Sequence, residues 1–274
     1  MTLTKEKPKQ TTDNLRENAV RQNSKINLSL FNYCFLTYFY LLREIKKNAS
    51  YAQGTLLDVG CGSSPFQNYF LPHIEKYLNH EHPEAAKKNV IYDYLSELPE
   101  ISAPNNSIDT IISFSVLEHV SKPFETLKEF KRILKDNGTF IISVPQYWHL
   151  HEEPHDYLRF TKYILKEKIS ELGFEIICIN GIGKSFAVVG QAFCNAMILL
   201  FDLGHVKNIF NFLSGKKSDN LGKSIVYAIY KSPLILLAII LIPIINMVFL
   251  ILDKLLGSPR DTIGYFVIAR KPLH

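Results

Sequence analysis

The stretch Leu56-Leu57-Asp58-Val59-Gly60-Cys61-Gly62-Ser63-Ser64-Pro65 constrains this chain more than any other. An apolar run delivers an acid, and a turn of small residues follows at once. Two glycines two positions apart let a backbone swing sharply off a strand and lie close against a ligand. Ser63 or Ser64 is placed to cap a following helix, with Pro65 at its first position. The expected local structure is strand, glycine turn, helix, and the N–H groups of that helix start face whatever occupies the turn.

These residues discriminate between ligand classes. A dinucleotide fingerprint wants a third glycine where Pro65 stands, which disfavours a nicotinamide-dependent oxidoreductase. A P-loop wants Gly-Lys-Ser/Thr, and no lysine is present. An acid at a strand tip suits a ligand that carries a positive amino group. Asp58, Gly60, Cys61 and Gly62 resemble motif I of the class I S-adenosylmethionine-dependent methyltransferases, in which an acid precedes Gly-x-Gly. Ser64 stands where that family often has a third glycine.

The resemblance runs on along the chain. A helix is expected over 66–71 and a short second strand over 76–79. Glu81 then lies where the family places an acid that accepts both ribose hydroxyls, about 20 residues past the glycines, with Asn79 as a fallback. Residues 90–93 read as a third strand, and the resemblance implies Asp93 on the adenine amino group and the Tyr94 N–H at the ring. Residues 108–114 match the fourth strand, and Ser115-Val116-Leu117-Glu118-His119-Val120 its exit, with Ser115 beside the cofactor. Apolar positions at helical spacing over 124–134 predict a helix that Asn137-Gly138 terminates. Residues 139–145 form a β-branched run suited to a strand buried on both faces. A sixth strand is expected over 172–177, and 262–271 resembles the family's antiparallel seventh strand beside strand five. The motif order is most similar to the type 11 group. It implies an α/β, Rossmann-like, seven-stranded methyltransferase sheet with S-adenosyl-L-methionine as cofactor.

Open α/β sheets bind ligands at the carboxyl ends of their strands, so the segment after strand five lines the pocket. Residues 146–161 pack three histidines, three acids, three aromatics besides Phe160, and Arg159 into one loop. Methyl transfer to oxygen needs an oriented acceptor and a proton acceptor, and histidine suits the second task near neutral pH. His151 and His155 are the candidate bases, Asp156 their orienting partner, and Arg159 a substrate clamp or acid partner. Polar groups that merely tie the loop to the sheet are the competing reading. Some relatives hold a cation with Glu-x-x-Glu-His after strand four; Glu118 and His119 match, but Ser115 replaces the first acid, so no metal is expected. Zinc is disfavoured because no cysteine accompanies the histidines.

Residues 186–260 change character. Residues 187–201 are apolar, lysines follow at Lys207, Lys216, Lys217, Lys223 and Lys231, and then Leu234 to Leu252 runs nineteen residues without a charge. That length qualifies as a membrane-span candidate, with a kink expected at Pro243. A last strand in the same sheet obliges the chain to return to the side it left, and lysine or arginine flanks both ends of the run. The expectation is therefore a monotopic or hairpin-anchored insertion at the cytoplasmic face of a membrane; a pair of crossings that uses both apolar segments is a second topology, and a buried helical subdomain or dimer interface is the alternative to membrane association. Residues 1–50 read as a polar tail and an aromatic lid or cap helix, 51–185 as the catalytic core, and 261–274 as the closing strand.

The net charge of +5 makes no case for nucleic acid, and four scattered cysteines without a C-x-x-C pair suit reduced thiols. The expected function is O-methylation of a membrane-associated or lipid-linked acceptor. A non-catalytic membrane-associated protein that retains the fold is the alternative.

Overall fold

The computed structural model describes residues 26–87, 90–199 and 221–273. The polar residues 1–25 and the lysines at 207, 216 and 217 lie outside the described residues. The described residues divide into two units, one of 26, 41–87, 90–182 and 264–273, the other of 27–40, 183–199 and 221–263.

The first unit is built on seven strands, β1 (Thr55–Val59), β2 (Lys76–Glu81), β3 (Tyr94–Leu95), β4 (Ile108–Phe114), β5 (Leu134–Pro145), β6 (Glu175–Ile182) and β7 (Gly264–Arg270). They form one sheet in the order β3-β2-β1-β4-β5-β7-β6. β1 pairs in parallel with both β2 and β4, whereas β7 lies antiparallel between β5 and β6. This is the expected seven-stranded sheet with its last strand antiparallel. The strand order reverses between β1 and β4, the switch point at whose carboxyl ends open α/β sheets bind their ligands.

Near-continuous apolar strands make the core. Leu57, Ile111, Phe140, Ile142 and Val267 are fully buried and belong to one cluster with Phe130 and Ile133 from the helix α3 (Pro123–Ile133). The helix α4 (Lys162–Glu171) adds Leu165 and Ile169. Gly173, at φ +75°, closes α4 by donating its N–H to the Ser170 carbonyl, as its place after the last apolar residue suggests.

Several element boundaries differ from expectation. The helix after the glycine turn, α2 (Gln67–Phe70), is one turn long, and no serine side chain caps it. Ser64 instead takes a left-handed φ of +50°, the conformation for which a glycine is usual. β2 runs to Glu81, so that acid is the last strand residue instead of the first loop residue. The third strand lies at 94–95, just after the segment read as strand, because Asp93 and Asn79 fasten to each other ahead of it. Asn137-Gly138 does not end a helix: α3 stops at Ile133 and the chain enters β5 directly, with Asn137 at φ +62° inside a register shift between β4 and β5. The sixth strand begins at Glu175 and extends to Ile182.

The second unit holds the first residues of α1 (Phe35–Asn48) together with α5 (Ser185–Leu199) and α6 (Leu221–Leu256). α6 is 36 residues long and carries Pro233 and Pro243 without interruption of its helical assignment. Gly190 lets α5 approach α6 closely, because a Cβ there would stand 2.5 Å from the Phe249 Cβ. Asp253, from α6, caps α5: its carboxylate accepts N–H bonds from Ala187 at 2.8 Å and Lys184 at 3.2 Å. Asn246 is buried in α6 and donates to the carbonyls of Leu30 and Asn32. The segment Tyr230–Leu256 is the one helix among the described residues long and apolar enough to cross a membrane, and 17% of its most apolar window is buried.

Candidate active site

The glycine turn is fixed from β2. The N–H groups of Gly60 and Cys61 both donate to the His80 carbonyl, at 3.0 and 3.1 Å. Those two donors are spent on the fold, and the Cys61 thiol is buried with its pKa pushed up by desolvation. The two glycines differ in what they permit. At Gly60, φ +68°, a Cβ would meet Val116 Cγ2 at 2.6 Å, and a β-branched side chain cannot swing aside. At Gly62, φ +57°, a Cβ would enter open space. Gly60 serves packing against the exit of β4; Gly62 keeps a backbone surface bare.

Acids converge on this turn. Asp58 is 4% exposed, and the Tyr77 hydroxyl donates to its Oδ2. Burial pushes the Asp58 carboxyl up to about 7, against the lowering by Tyr77, and the nearby Glu81 carboxylate raises it further. A cationic group brought to this turn would restore its charge. Glu81 Oε2 accepts the Gly62 N–H at 2.6 Å and Oε1 accepts the His82 N–H at 3.0 Å. Each oxygen keeps a second lone pair, so the carboxylate can still accept two hydroxyls. Asn79 is 3% exposed and bonded to Asp93 and Ile91, which removes it as a fallback for Glu81. Asp93 is held beside the tip of β2 by that exchange, and Tyr94 follows as the first residue of β3. Ser115 is exposed at the end of β4, at φ +54°, its N–H bonded to the Ser143 carbonyl. Tyr92, which the motifs did not single out, places its hydroxyl 3.4 Å from the Gly62 carbonyl.

The loop after β5 is organised by Arg159. Its Nε donates to the Trp148 carbonyl, Nη1 to Asp156 Oδ1 and the Leu158 carbonyl, and Nη2 to the His149 carbonyl and Asp156 Oδ2. All five guanidinium donors are thereby used. Of its two expected roles the geometry fills that of acid partner and leaves no donor for a substrate clamp. The guanidinium holds the Asp156 carboxyl well below the usual carboxylate range. Asp156 Oδ2 also accepts the His151 N–H at 3.0 Å and stands 3.3 Å from His151 Nδ1. Asp156 therefore orients His151. His155 is exposed, and its ring meets the Tyr157 hydroxyl instead.

With this geometry in hand, the comparisons with known proteins decide the family. Residues 35–175 match the family described as "Methyltransferase domain". The chain belongs to that methyltransferase family. A 96-residue stretch is 25% identical to a Mycolicibacterium smegmatis protein named "Probable S-adenosylmethionine-dependent methyltransferase". That match covers 33% of this chain and spans 37% of the relative's length. Among solved structures, a S-adenosylmethionine-dependent methyltransferase from Archaeoglobus fulgidus is 17% identical, with a TM-score of 0.47 over 86% of this chain and 94% of that one. The [4+2]-cyclase SpnF is 14% identical, with a TM-score of 0.46 over 86% and 81%.

S-adenosylmethionine is the cofactor such a methyltransferase uses, and the residues present fit it. Gly62 leaves open space, Glu81 retains acceptor capacity, and Asp58 is a buried carboxyl that a positive amino group would recharge. Two features of this methyltransferase were not legible in its motifs. Tyr77 was a strand residue without signal until the register set it opposite Leu56 and its hydroxyl on Asp58. Glu118 and His119 were read as part of the exit from β4, yet one ligand atom from each lies within 4.8 Å of one from His151.

Proposed function

We propose that this chain is an S-adenosylmethionine-dependent methyltransferase that methylates an oxygen of a membrane-associated or lipid-linked acceptor. When bound, S-adenosylmethionine supplies a methyl group on a positively charged sulfur. Asp58 receives its amino group, Glu81 its ribose hydroxyls, and Asp93 with the Tyr94 N–H its adenine, while Gly60, Cys61 and Gly62 shape the turn and Ser115 stands beside it. The acceptor's oxygen is addressed by the imidazoles of the loop after β5. His151 leads, because Asp156 and the His149 carbonyl fix its Nδ1 side, leaving Nε2 as its outward-working atom. His155, bonded to Tyr157, is the second candidate.

One observation carries the choice of acceptor class. Tyr230–Leu256 contains the uncharged run Leu234–Leu252, with Leu236, Ile239, Ile240, Ile244 and Ile251 exposed, and it is inserted between two strands of one sheet. Exposed apolar surface of that extent is stable in lipid. Because β6 and β7 pair with each other, the insertion leaves and rejoins the same sheet, so a monotopic or hairpin embedding at the cytoplasmic face suits it. A catalytic domain so tethered gains most with acceptors that share its surface.

The test is incubation of membranes and of their aqueous extract with methyl-labelled cofactor and purified enzyme. Label is expected in the lipid or lipid-linked fraction. Label confined to water-soluble acceptors would overturn the acceptor class, and no transfer by cofactor-binding protein would favour a non-catalytic role.

A further inference from the structure

The exit of β4 and the loop after β5 bring together three side chains that the cofactor turn does not use. Glu118 is 1% exposed, and its Oε2 has no hydrogen-bond partner among the described residues. His119 and His151 stand beside it, ring centroids 4.6 Å apart and edge to face. One ligand atom from each of the three residues lies within 4.8 Å of the other two. Two ligands at about 2.1 Å from one ion are at most about 4.2 Å apart, so small rotations would close the set.

The two imidazoles are already fixed as metal-binding imidazoles are. His119 Nδ1 lies 2.7 Å from the His155 carbonyl. His151 Nδ1 lies 3.2 Å from the His149 carbonyl and 3.3 Å from Asp156 Oδ2. Each Nδ1 faces an acceptor, the arrangement that turns Nε2 of a metal-binding imidazole toward the ion. Asp156 is itself locked by Arg159, so one of these outer partners is rigid. Glu152 extends an exposed carboxylate to 3.9 Å from His119 Nε2, a fourth ligand within reach.

We propose that Glu118, His119 and His151 bind a divalent transition-metal ion. Two imidazoles and a carboxylate suit Zn²⁺, Mn²⁺, Fe²⁺ or Co²⁺; Mg²⁺ and Ca²⁺ favour all-oxygen shells. The site departs from the expectation of no metal, since that expectation weighed the acid missing at Ser115 and had no means to see His151 arrive from a different loop. With three protein ligands the ion keeps a position open for an acceptor oxygen; when the ion is bound, His151 is held as a ligand and the base role falls to His155, the second candidate named above. That last role rests on the methyl-transfer reading; the ion site does not.

The experiment is titration of chelator-treated full-length protein with Zn²⁺ by calorimetry and with Co²⁺ by visible absorption, without cofactor. One Zn²⁺ per chain is expected, with a ligand-field Co²⁺ spectrum. His119→Ala, His151→Ala and Glu118→Gln are expected to abolish the stoichiometric site, and Asp156→Asn to weaken it about tenfold or more. His73→Ala, at an exposed position, should bind as wild type does. Absence of stoichiometric binding to folded wild-type protein would overturn the site, as would unchanged binding by the three ligand variants. Binding of S-adenosylhomocysteine is measured in parallel. Protein that binds it but no Zn²⁺ sinks the ion site alone, and protein that binds Zn²⁺ but not the nucleoside sinks the methyl-transfer reading alone.

Discussion

Gly60 and Gly62 are two residues apart and would fail differently. Gly60→Ala forces a Cβ against Val116 at a left-handed φ and should cost about 3 kcal/mol of stability, read as a lowered melting temperature. Gly62→Ala meets no atom and should cost about 1 kcal/mol for its φ alone. Its methyl group would instead occupy the ligand's space, so calorimetry should show S-adenosylhomocysteine affinity falling far more than stability does. Asp58 makes a second prediction. Its folded pKa is raised from 3.8 to about 7, so the folded chain holds that proton more tightly than the unfolded chain. The stabilisation is complete below about pH 4 and is lost as pH rises through about 7. His80 works the opposite way: burial lowers it to about 4, so its contribution is lost as pH falls below its ordinary value. The difference between wild type and Asp58→Asn isolates the first effect, and the melting-temperature gap should shift in favour of the variant between pH 5 and 8. Binding of S-adenosylhomocysteine near pH 6.5 should release a proton from wild type, seen as a buffer-dependent calorimetric heat, and none from Asp58→Asn.

Among the elements, the loop of 146–161 and the helix pair α5 and α6 are the most testable. In the loop, Arg159 ties Asp156 to three backbone carbonyls, so its charge acts through geometry. Arg159→Lys keeps the charge and loses the fork, and should reduce kcat with little change in S-adenosylmethionine KM, because the cofactor turn does not depend on it. In the helix pair, Asp253→Ala leaves the Ala187 and Lys184 N–H groups unsatisfied at the start of α5. A loss of about 1–2 kcal/mol is expected, measured by thermal unfolding of the full chain in detergent.

For the molecule as a whole, the question is what covers the apolar insertion. Exposed Leu236, Ile240 and Ile244 lie along the uncharged run of α6. If the insertion is embedded in lipid, replacing Ile240 and Ile244 by Lys costs about 2.5–3.5 kcal/mol for each side chain that reaches the hydrocarbon centre. Flotation with vesicles should then show the double variant leaving the lipid fraction, while S-adenosylhomocysteine binding by the first unit stays intact. Failure of the wild-type chain to float with vesicles would instead favour a buried subdomain.

The strands were legible because parallel, doubly covered strands need continuous apolar runs, and 108–114 and 139–145 have no other reading. Asp58, Gly60 and Gly62 were legible because a turn that must take positive φ against a ligand admits few residue types. Boundaries were not: Asn137-Gly138 carries a helix-stop signal, yet strand pairing with β4 overrode it. The single-turn α2 likewise escaped its serine caps. What tertiary structure alone decided is which distant polar groups meet. Tyr77 finds Asp58 through strand register, Arg159 spends every donor on its own loop, and Glu118, His119 and His151 converge from two strand ends. Local sequence encodes conformation through sterics and hydrophobic period, whereas the meeting of side chains from separate loops depends on where the sheet delivers them.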